Sequence, residues 1–152
     1  MRQWFDLPRS PRLRIRIDDA VVAAPSLKAQ FWDVVVRDIF SGGTVPDSVC
    51  TPEFMHSCMN ALKSEGLFLI NAASAPTSQV QAQFAALTQI SDFLVISDAA
   101  VARGKRRGNL VLVARKTGFS AEDFDRLSRA LRKLPLPAQL YRHSDGALSR
   151  YN

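Results

Sequence analysis

The chain has 152 residues, of which 47% are hydrophobic and 22% are charged, and its formal net charge is +6. That length can bury one sizeable core and is too short to promise two, so we expect a single domain. Charges interrupt the apolar runs, which excludes a segment of the roughly 20 apolar residues that span a bilayer. Because the amino terminus also lacks the apolar region of a secretory signal, we expect a cytoplasmic protein with no membrane partner.

The positive charge is concentrated in parts of the chain. Residues 1–20 carry five Arg and three Asp, residues 21–100 carry three basic and seven acidic groups, and residues 101–116 carry six basic groups and no acid. This distribution argues against a nucleic-acid footprint over the whole domain. We interpret the basic run at 103–107 as a solvated connection, because no aromatic residues are interleaved with its charges.

The two cysteines do not indicate a disulfide framework. Cys50 and Cys58 do not form a Cys-x-x-Cys pair, and we expect both to be small buried hydrophobic residues. A metal site built from them and His56 is disfavoured, because side chains two residues apart on a helix point about 200° apart and a structural zinc needs four ligands. We therefore predict no metal.

The amino-terminal part of the chain predicts two strands. In 13–17, Leu and Ile alternate with Arg, which is typical of a half-exposed strand. A short helix or turn at 26–31 leads to 34–38, where three consecutive valines favour a strand that is covered on both faces. Gly42 and Gly43 then mark a loop.

The middle of the chain predicts two helices around a buried strand. Thr51 can cap the first helix, and Gly66 is a natural stop signal for it. The apolar run at 67–72 predicts the strand. Ser78 and Gln81 have the spacing of a capping box and begin the second helix.

Two more strands and a third helix follow. The segments 92–97 and 110–114 are joined by a connection too short for a crossover helix, so we predict that these strands are antiparallel. Ser120 caps the third helix, with Asp123 three residues later.

This order of elements predicts an α/β fold, with helices on both faces of a mostly parallel sheet and an antiparallel hairpin at its far edge. We expect residues 1–134 to form the domain and residues 135–152 to form a loose C-terminal tail.

Each of the first two predicted strands ends in a carboxylate, Asp19 after the first and Asp38 after the second. In an open α/β sheet, ligands bind outside the carboxyl ends of the strands, so these residues are the first candidates for a site. The competing interpretation of Asp19 is a strand-end or helix-capping carboxylate. That of Asp38 is a carboxylate that caps a turn or pairs with Arg37.

A set of short phrases occurs in order between residues 1 and 116. The phrases are Phe5-Asp6-Leu7-Pro8, Pro11-Arg12-Leu13-Arg14-Ile15, Asp19-Ala20, Trp32-Asp33-Val34-Val35-Val36 with Asp38, Gly42-Gly43, Val45-Pro46 and Glu65-Gly66-Leu67-Phe68-Leu69-Ile70-Asn71. In order and spacing they resemble the second half of the spermidine synthase-like family, which are aminopropyltransferases on the class I S-adenosylmethionine-dependent methyltransferase fold. The resemblance implies a partial Rossmann-like sheet.

The resemblance also implies a site. It assigns Asp19, with Ala20 beside it, to the adenine group of S-adenosylmethionine or decarboxylated S-adenosylmethionine. It assigns Asp38 as the base toward the amine of a polyamine, because an ammonium nucleophile must be held and deprotonated before it attacks carbon. The residues expected to line the amine site, although they also suit a flexible turn, are Ser41, Gly42 and Gly43.

The chain departs from the family at three positions. Ser41 stands where the family has a second acid that holds the polyamine, so a single carboxylate remains to hold an amine. Asp18 replaces a glycine next to Asp19. Arg37 stands where an apolar residue is usual, and a buried guanidinium needs a partner, for which Asp38 is the candidate.

The family's first strand, glycine-rich turn, first helix and second strand would precede Met1. We therefore expect a domain without that amino-terminal part, whose strand at 34–38 has an unpaired edge that a second copy or a partner chain covers. We expect weak or no catalysis. The alternatives are an active aminopropyl- or methyltransferase completed by a partner chain, and a basic nucleic-acid or protein-binding module that uses the 103–107 loop.

Overall fold

A computed structural model describes residues 10–73, 77–135, 138–144 and 147–151, so the phrase at residues 5–8 lies outside it. The helices of the described residues are α1 (Ala20–Ala23), α2 (Pro52–Ala61), α3 (Thr77–Thr88), α4 (Ala99–Ala102) and α5 (Ala121–Leu131), with 3₁₀ turns at Ala24–Ser26 and Asp47–Val49. The strands are β1 (Trp32–Arg37), β2 (Leu62–Ala73), β3 (Phe93–Asp98), β4 (Asn109–Ala114), β5 (Ala138–Ser144) and β6 (Ala147–Arg150). None of these helices combines the length and apolar character needed to cross a bilayer.

The strands form one sheet in the order β1-β2-β4-β3-β5-β6. β1 and β2 are parallel, whereas the other neighbouring pairs are antiparallel. β1, β2, β3 and β6 therefore run in one direction. β4, which lies between β2 and β3, runs in the opposite direction, as does β5. The carboxyl ends of β1, β2 and β3 consequently lie along one edge of the sheet. The predicted α/β class is confirmed, but the sheet is mixed and not mostly parallel, because β1 and β2 are the one parallel pair among the described strands.

Two helices begin where side-chain chemistry predicts. Thr51 caps α2, because its hydroxyl oxygen accepts a hydrogen bond from the Phe54 N–H at 3.2 Å. Ser120 caps α5, and the carboxylate of Asp123 accepts from the Ser120 N–H at 2.9 Å. In return, the Ser120 hydroxyl oxygen accepts from the Asp123 N–H at 3.2 Å, so the predicted cap at Ser120 is present as a capping box.

Two predicted boundaries are wrong. α2 gives way directly to β2, so Gly66 lies inside the strand and does not end the helix. A Cβ at Gly66 would lie 3.0 Å from the carbonyl oxygen of Trp32, so the glycine permits the close approach of β1. Helix α3 has already begun at Thr77, which places Ser78 inside the helix.

Helices cover the sheet on both faces, as predicted. The larger core joins α2 and α3 to alternating residues of β2, such as Phe68 and Ile70. The smaller core lies on the opposite face, where Phe124 of α5 belongs to one cluster with Leu94 and Val113. Because successive side chains of a strand point to opposite faces of the sheet, each strand contributes to both apolar layers.

Residues 13–17 do not form the predicted strand. An isolated bridge joins Ser10 to Leu13, and Ile17 is 92% exposed. No described strand pairs with this segment, so its backbone groups have no ladder to join. The alternating pattern alone is therefore insufficient to make a strand.

The carboxyl-terminal residues are not a loose tail where the structure describes them. Residues 138–144 and 147–150 form β5 and β6, and β5 pairs with β3, where Ile96 lies opposite Leu140. The predicted antiparallel pairing of β3 with β4 is confirmed. That pair lies inside the sheet, because β5 and β6 extend beyond it.

β1 forms the opposite edge of the sheet. It pairs with β2 on one side, and no described strand pairs with its other side. Val34 and Val36 are 46% and 62% exposed. Within the described residues, every exposed large hydrophobic side chain except Leu134 lies between residues 13 and 40. For the described residues the predicted unpaired edge is confirmed, whereas the prediction that both faces of this strand are covered is wrong.

Candidate functional site

Asp38 and Asn71 meet near the carboxyl ends of β1 and β2. Asp38 directly follows β1, and the register of the two parallel strands sets Arg37 opposite Ile70, the residue before Asn71. The side-chain amide of Asn71 donates a hydrogen bond to the Asp38 carboxylate at 2.9 Å. Because Asp38 is exposed, its carboxylate can meet a ligand at this edge.

Arg37, the last residue of β1, is buried and does not pair with Asp38. Its guanidinium donates to the carbonyl oxygen of Asn71 at 3.0 Å, to that of Val49 at 3.3 Å and to the side-chain oxygen of Gln83 at 2.6 Å. The predicted Arg37–Asp38 ion pair is wrong, because these internal oxygens bind the guanidinium. Burial lowers the pKa of Arg37.

Two buried thiols lie close to Arg37. Cys50 Sγ is 3.7 Å from the guanidinium, and both Cys50 and Cys58 are free and buried, as predicted. Burial raises the pKa of both thiols, to about 11 for Cys58, despite the opposing effect of the Arg37 charge. In the part of the chain that the structure describes, no group of three or more His, Cys, Asp or Glu side chains could hold a metal ion.

Asp19 caps helix α1. One of its carboxylate oxygens accepts from the Val21 N–H at 2.8 Å, and Ala20 begins the helix in a half-buried position. Asp18 accepts from the Asp19 N–H and from the Arg16 guanidinium, both at 2.9 Å. Asp19 therefore has the capping geometry that competed with adenine recognition, and its role toward a nucleoside stays a prediction.

The loop after Asp38 makes a tight turn. The backbones of Ser41 and Thr44 exchange hydrogen bonds of 2.8 and 3.1 Å. Between them, Gly42 and Gly43 have φ of 57° and 82°, a region that glycine enters without a steric penalty. The contacts of these turn residues with an amine stay a prediction.

A groove of about 620 Å³ lies between the next part of this loop and helix α3. Gln79 of α3 joins its two walls, because its amide donates to the carbonyl oxygen of Val45 and to the Asp47 carboxylate at 3.1 Å. The groove gives a ligand room along the same edge of the sheet as Asp38.

A second cavity, of about 300 Å³, lies near Asp92, Arg142 and His143. These residues surround the amino end of β3 and the carboxyl end of β5, at the edge of the sheet opposite to Asp38. The cavity is therefore remote from the candidate site.

The basic connection at 103–107 is exposed and follows the short helix α4. Arg106 pairs with Asp98 at 3.4 Å, and Asp98 caps α4. Hydrogen bonds from the backbone, foremost the Ala100 N–H, lower the pKa of Asp98. Because β3 ends here, the connection lies along the same sheet edge as Asp38, and its binding of an acidic partner stays a prediction.

The chain is similar to several solved structures. No family model and no curated protein matches it. A probable spermidine synthase from Corynebacterium glutamicum is 31% identical, with a TM-score of 0.81 over 99% of this chain and 58% of that one. Human methyltransferase-like protein 13 in complex with SAH is 21% identical, with a TM-score of 0.64 over 88% of this chain and 66% of that one. Spermidine synthase from Thermotoga maritima is 18% identical, with a TM-score of 0.60 over 99% and 46%.

The fold is that of the class I methyltransferases. The resemblance inferred from the sequence thus holds at the level of fold, and the chain spans 58% of the length of the Corynebacterium protein. Within this methyltransferase-type sheet, Asp38 follows a strand end as predicted. Asp19 does not, because residues 13–17 form no strand and Asp19 caps helix α1 instead.

Three polar residues of the site were not predicted from the sequence as functional candidates, namely Asn71, Gln79 and Gln83. Asn71 is a polar residue near the end of the apolar run of β2, which is a signal for a side chain close to a strand end. Gln83 lies on the helical face that carries Val80, Phe84 and Leu87, and it is fully buried. A glutamine on an apolar helix face indicates a buried polar partner, which here is Arg37.

Proposed function

We propose that the chain is a member of the spermidine synthase-like family in which Asp38 and Asn71 form the amine-binding part of a transferase site. The hydrogen bond between them, at the carboxyl ends of two parallel strands, is the observation that carries this proposal. A carboxylate that is exposed and oriented by an amide can accept a hydrogen bond from an ammonium group and then its proton. The 31% identity to a probable spermidine synthase supports the family.

The cofactor we propose is S-adenosylmethionine or its decarboxylated form. A methyltransferase of similar fold binds SAH, which supports an S-adenosyl nucleoside. Asp19 is the proposed contact for the adenine amino group. Its Oδ1 accepts from the Val21 N–H, so the second carboxylate oxygen would take the adenine contact.

We propose that the chain alone catalyses weakly or not at all. Ser41, at the position of the family's second acid, is bound into the turn with Thr44, and Asp38 is left as the carboxylate of the amine site. The buried positive charge of Arg37 next to Asp38 opposes the approach of a cationic amine. Both features weaken the binding of a polyamine.

We also propose that another strand, from a second copy or a partner chain, pairs with β1. The open edge of β1 presents Val34 and Val36, and an apolar pocket of about 170 Å³ lies between β1, α1 and α2. An added strand would satisfy the backbone groups of this edge and cover the valines. Light scattering of wild type and Val36→Lys tests this, since a complex seen only in wild type is expected and a monomeric wild type would exclude the second copy.

The nucleoside is tested by calorimetric titration with S-adenosylmethionine, its decarboxylated form and methylthioadenosine. We expect binding that Asp19→Ala abolishes. Asp98→Ala is the matched control, because Asp98 also caps a four-residue helix that begins with Ala. Equal losses in the two variants would assign Asp19 to helix capping, and no binding by the folded wild type would exclude a cofactor site in the chain alone.

A further inference from the structure

Arg37 is a buried charge for which the described residues supply no bonded carboxylate. It is 2% exposed, and burial lowers its pKa, against the opposing effects of Cys50, Cys58 and Asp38. Burying a charge without a bonded counter-ion is costly, and an apolar residue at this strand end would avoid the desolvation. Packing alone therefore does not explain an arginine here.

The guanidinium connects three parts of the fold to β1. One terminal nitrogen donates to the Asn71 carbonyl oxygen and to Gln83, and the other donates to the carbonyl oxygen of Val49. Gln83 is itself held, because its amide donates to the carbonyl oxygen of Gln79 at 3.3 Å. A planar guanidinium imposes fixed directions on its partners, so β2, α3 and the 3₁₀ turn are oriented around Arg37.

Asn71 is bound from two sides. Its carbonyl oxygen accepts from Arg37, and its side-chain amide donates to the Asp38 carboxylate at 2.9 Å. Contacts therefore run without a break from the buried Gln83 through Arg37 and Asn71 to the exposed carboxylate.

We propose that Arg37 is a positioning residue, which orients Asn71 and through it the Asp38 carboxylate. This inference deepens the proposed function, since Asp38 is the carboxylate that the proposed function assigns to the amine. The competing account is that Arg37 only stabilises the core. If Arg37 only stabilises the core, destabilising the protein at another core residue should displace the Asn71 side chain to the same extent. If Arg37 orients Asn71, only the loss of Arg37 should displace it.

The experiment is nuclear magnetic resonance of the Asn71 side-chain amide in the ligand-free protein, assigned by its loss in Asn71→Ala. Spectra are compared for wild type, Arg37→Met, Asp38→Ala and Leu94→Ala. Leu94→Ala is the control, because Leu94 is buried in the smaller core on the other face of the sheet and its truncation destabilises the fold without touching Asn71.

We expect Arg37→Met to move the Asn71 amide signals toward their position in Asp38→Ala. We also expect exchange of these amide protons to rise about tenfold, which corresponds to ~1.4 kcal/mol for a lost hydrogen bond to a charged group. Leu94→Ala should leave the signals in place. Unchanged signals in Arg37→Met, or an equal displacement in Leu94→Ala, would overturn the proposal.

If Arg37→Met does not fold, the same spectra of Arg37→Lys test the proposal. Lysine keeps the charge but lacks the planar fork that reaches Asn71 and Gln83 together, so the same displacement is expected. A wild-type signal in Arg37→Lys would reject the positioning role.

Titration of wild type with putrescine separates this inference from the proposed function. Absence of amine binding would contradict the assignment of Asp38 to an amine, whereas the Asn71 signals would still report whether Arg37 orients the carboxylate.

Discussion

β1 and β4 are both six-residue strands rich in valine, yet they lie in opposite environments. β4 lies between two strands, and its Leu112 and Ala114 are fully buried, whereas β1 has one neighbour and Val36 is 62% exposed. Both valine-rich runs form strands, but β4 lies in the middle of the sheet and β1 at its edge, and the same residue type is buried in the first and exposed in the second. The comparison divides the molecule into a closed region around β4 and an open region around β1.

The largest difference between the regions in the effect of a substitution on the free energy of unfolding is expected for phenylalanine. Phe124 is 2% exposed, with the Arg142 guanidinium 4.3 Å and the Tyr151 ring 4.6 Å from its centre. Phe124→Ala should lower the free energy of unfolding by about 3–5 kcal/mol in urea titrations. Phe31→Ala, in the open region, should lower it by less than about 1 kcal/mol. Equal losses would show that Phe31 is buried in solution.

A smaller difference is expected for valine in the two strands. Val113→Thr places a hydroxyl in the core and should lower the free energy of unfolding by about 1–3 kcal/mol. At protein concentrations low enough to keep the chain monomeric, Val36→Thr should stay within about 0.5 kcal/mol of wild type, because an exposed hydroxyl stays hydrated. Both are measured by urea unfolding at several protein concentrations. A loss in Val36→Thr that grows with concentration would mean that an associated chain covers β1.

The smallest expected effect is a change in how steeply the free energy of unfolding falls at low pH. Hydrogen bonds from the Ser120 N–H, and then from Arg115 and the Ser120 hydroxyl, hold the pKa of Asp123 well below its usual range. A lowered pKa stabilises the fold above the unfolded pKa of about 4 and loses this contribution as the pH falls. Unfolding at a series of pH values should therefore show a shallower decline below about pH 4 for Asp123→Asn than for wild type.

Asp33→Asn serves as the control in the open region, since Asp33 makes an exposed ion pair with Lys63 at 2.7 Å. Such pairs contribute little, so the pH dependence should match that of wild type. A profile as shallow as that of Asp123→Asn would show that acid sensitivity does not distinguish the two regions.

Features that depend on neighbouring residues in sequence were predictable. The N-caps at Thr51 and Ser120 follow from local hydrogen bonding, and both are present. The segment 13–17 has a strand pattern, but none of the described strands pairs with it. Residues 138–144 looked like a tail after two prolines, and they become a strand only by pairing with β3, about 45 residues earlier.

The candidate site also combines features that neighbouring residues predict with features that depend on residues far apart in the sequence. Asp38 could be located from the end of a valine run, because strand ends are a local signal. Its orientation could not, since it depends on Asn71 and on a bond between Arg37 and Gln83, which are 46 residues apart. Side-chain networks of this range require the packed fold.

The central place of β4 has a consequence for biosynthesis. Ile70 of β2 pairs with Leu112 of β4, about 40 residues later in the chain, so one side of β2 stays open until the ribosome has made and released that segment. Pairing across such a separation is slow to form. A nascent chain that already carries β1 and β2 therefore exposes two unpaired edges, and chaperone protection matters most just before β4 emerges.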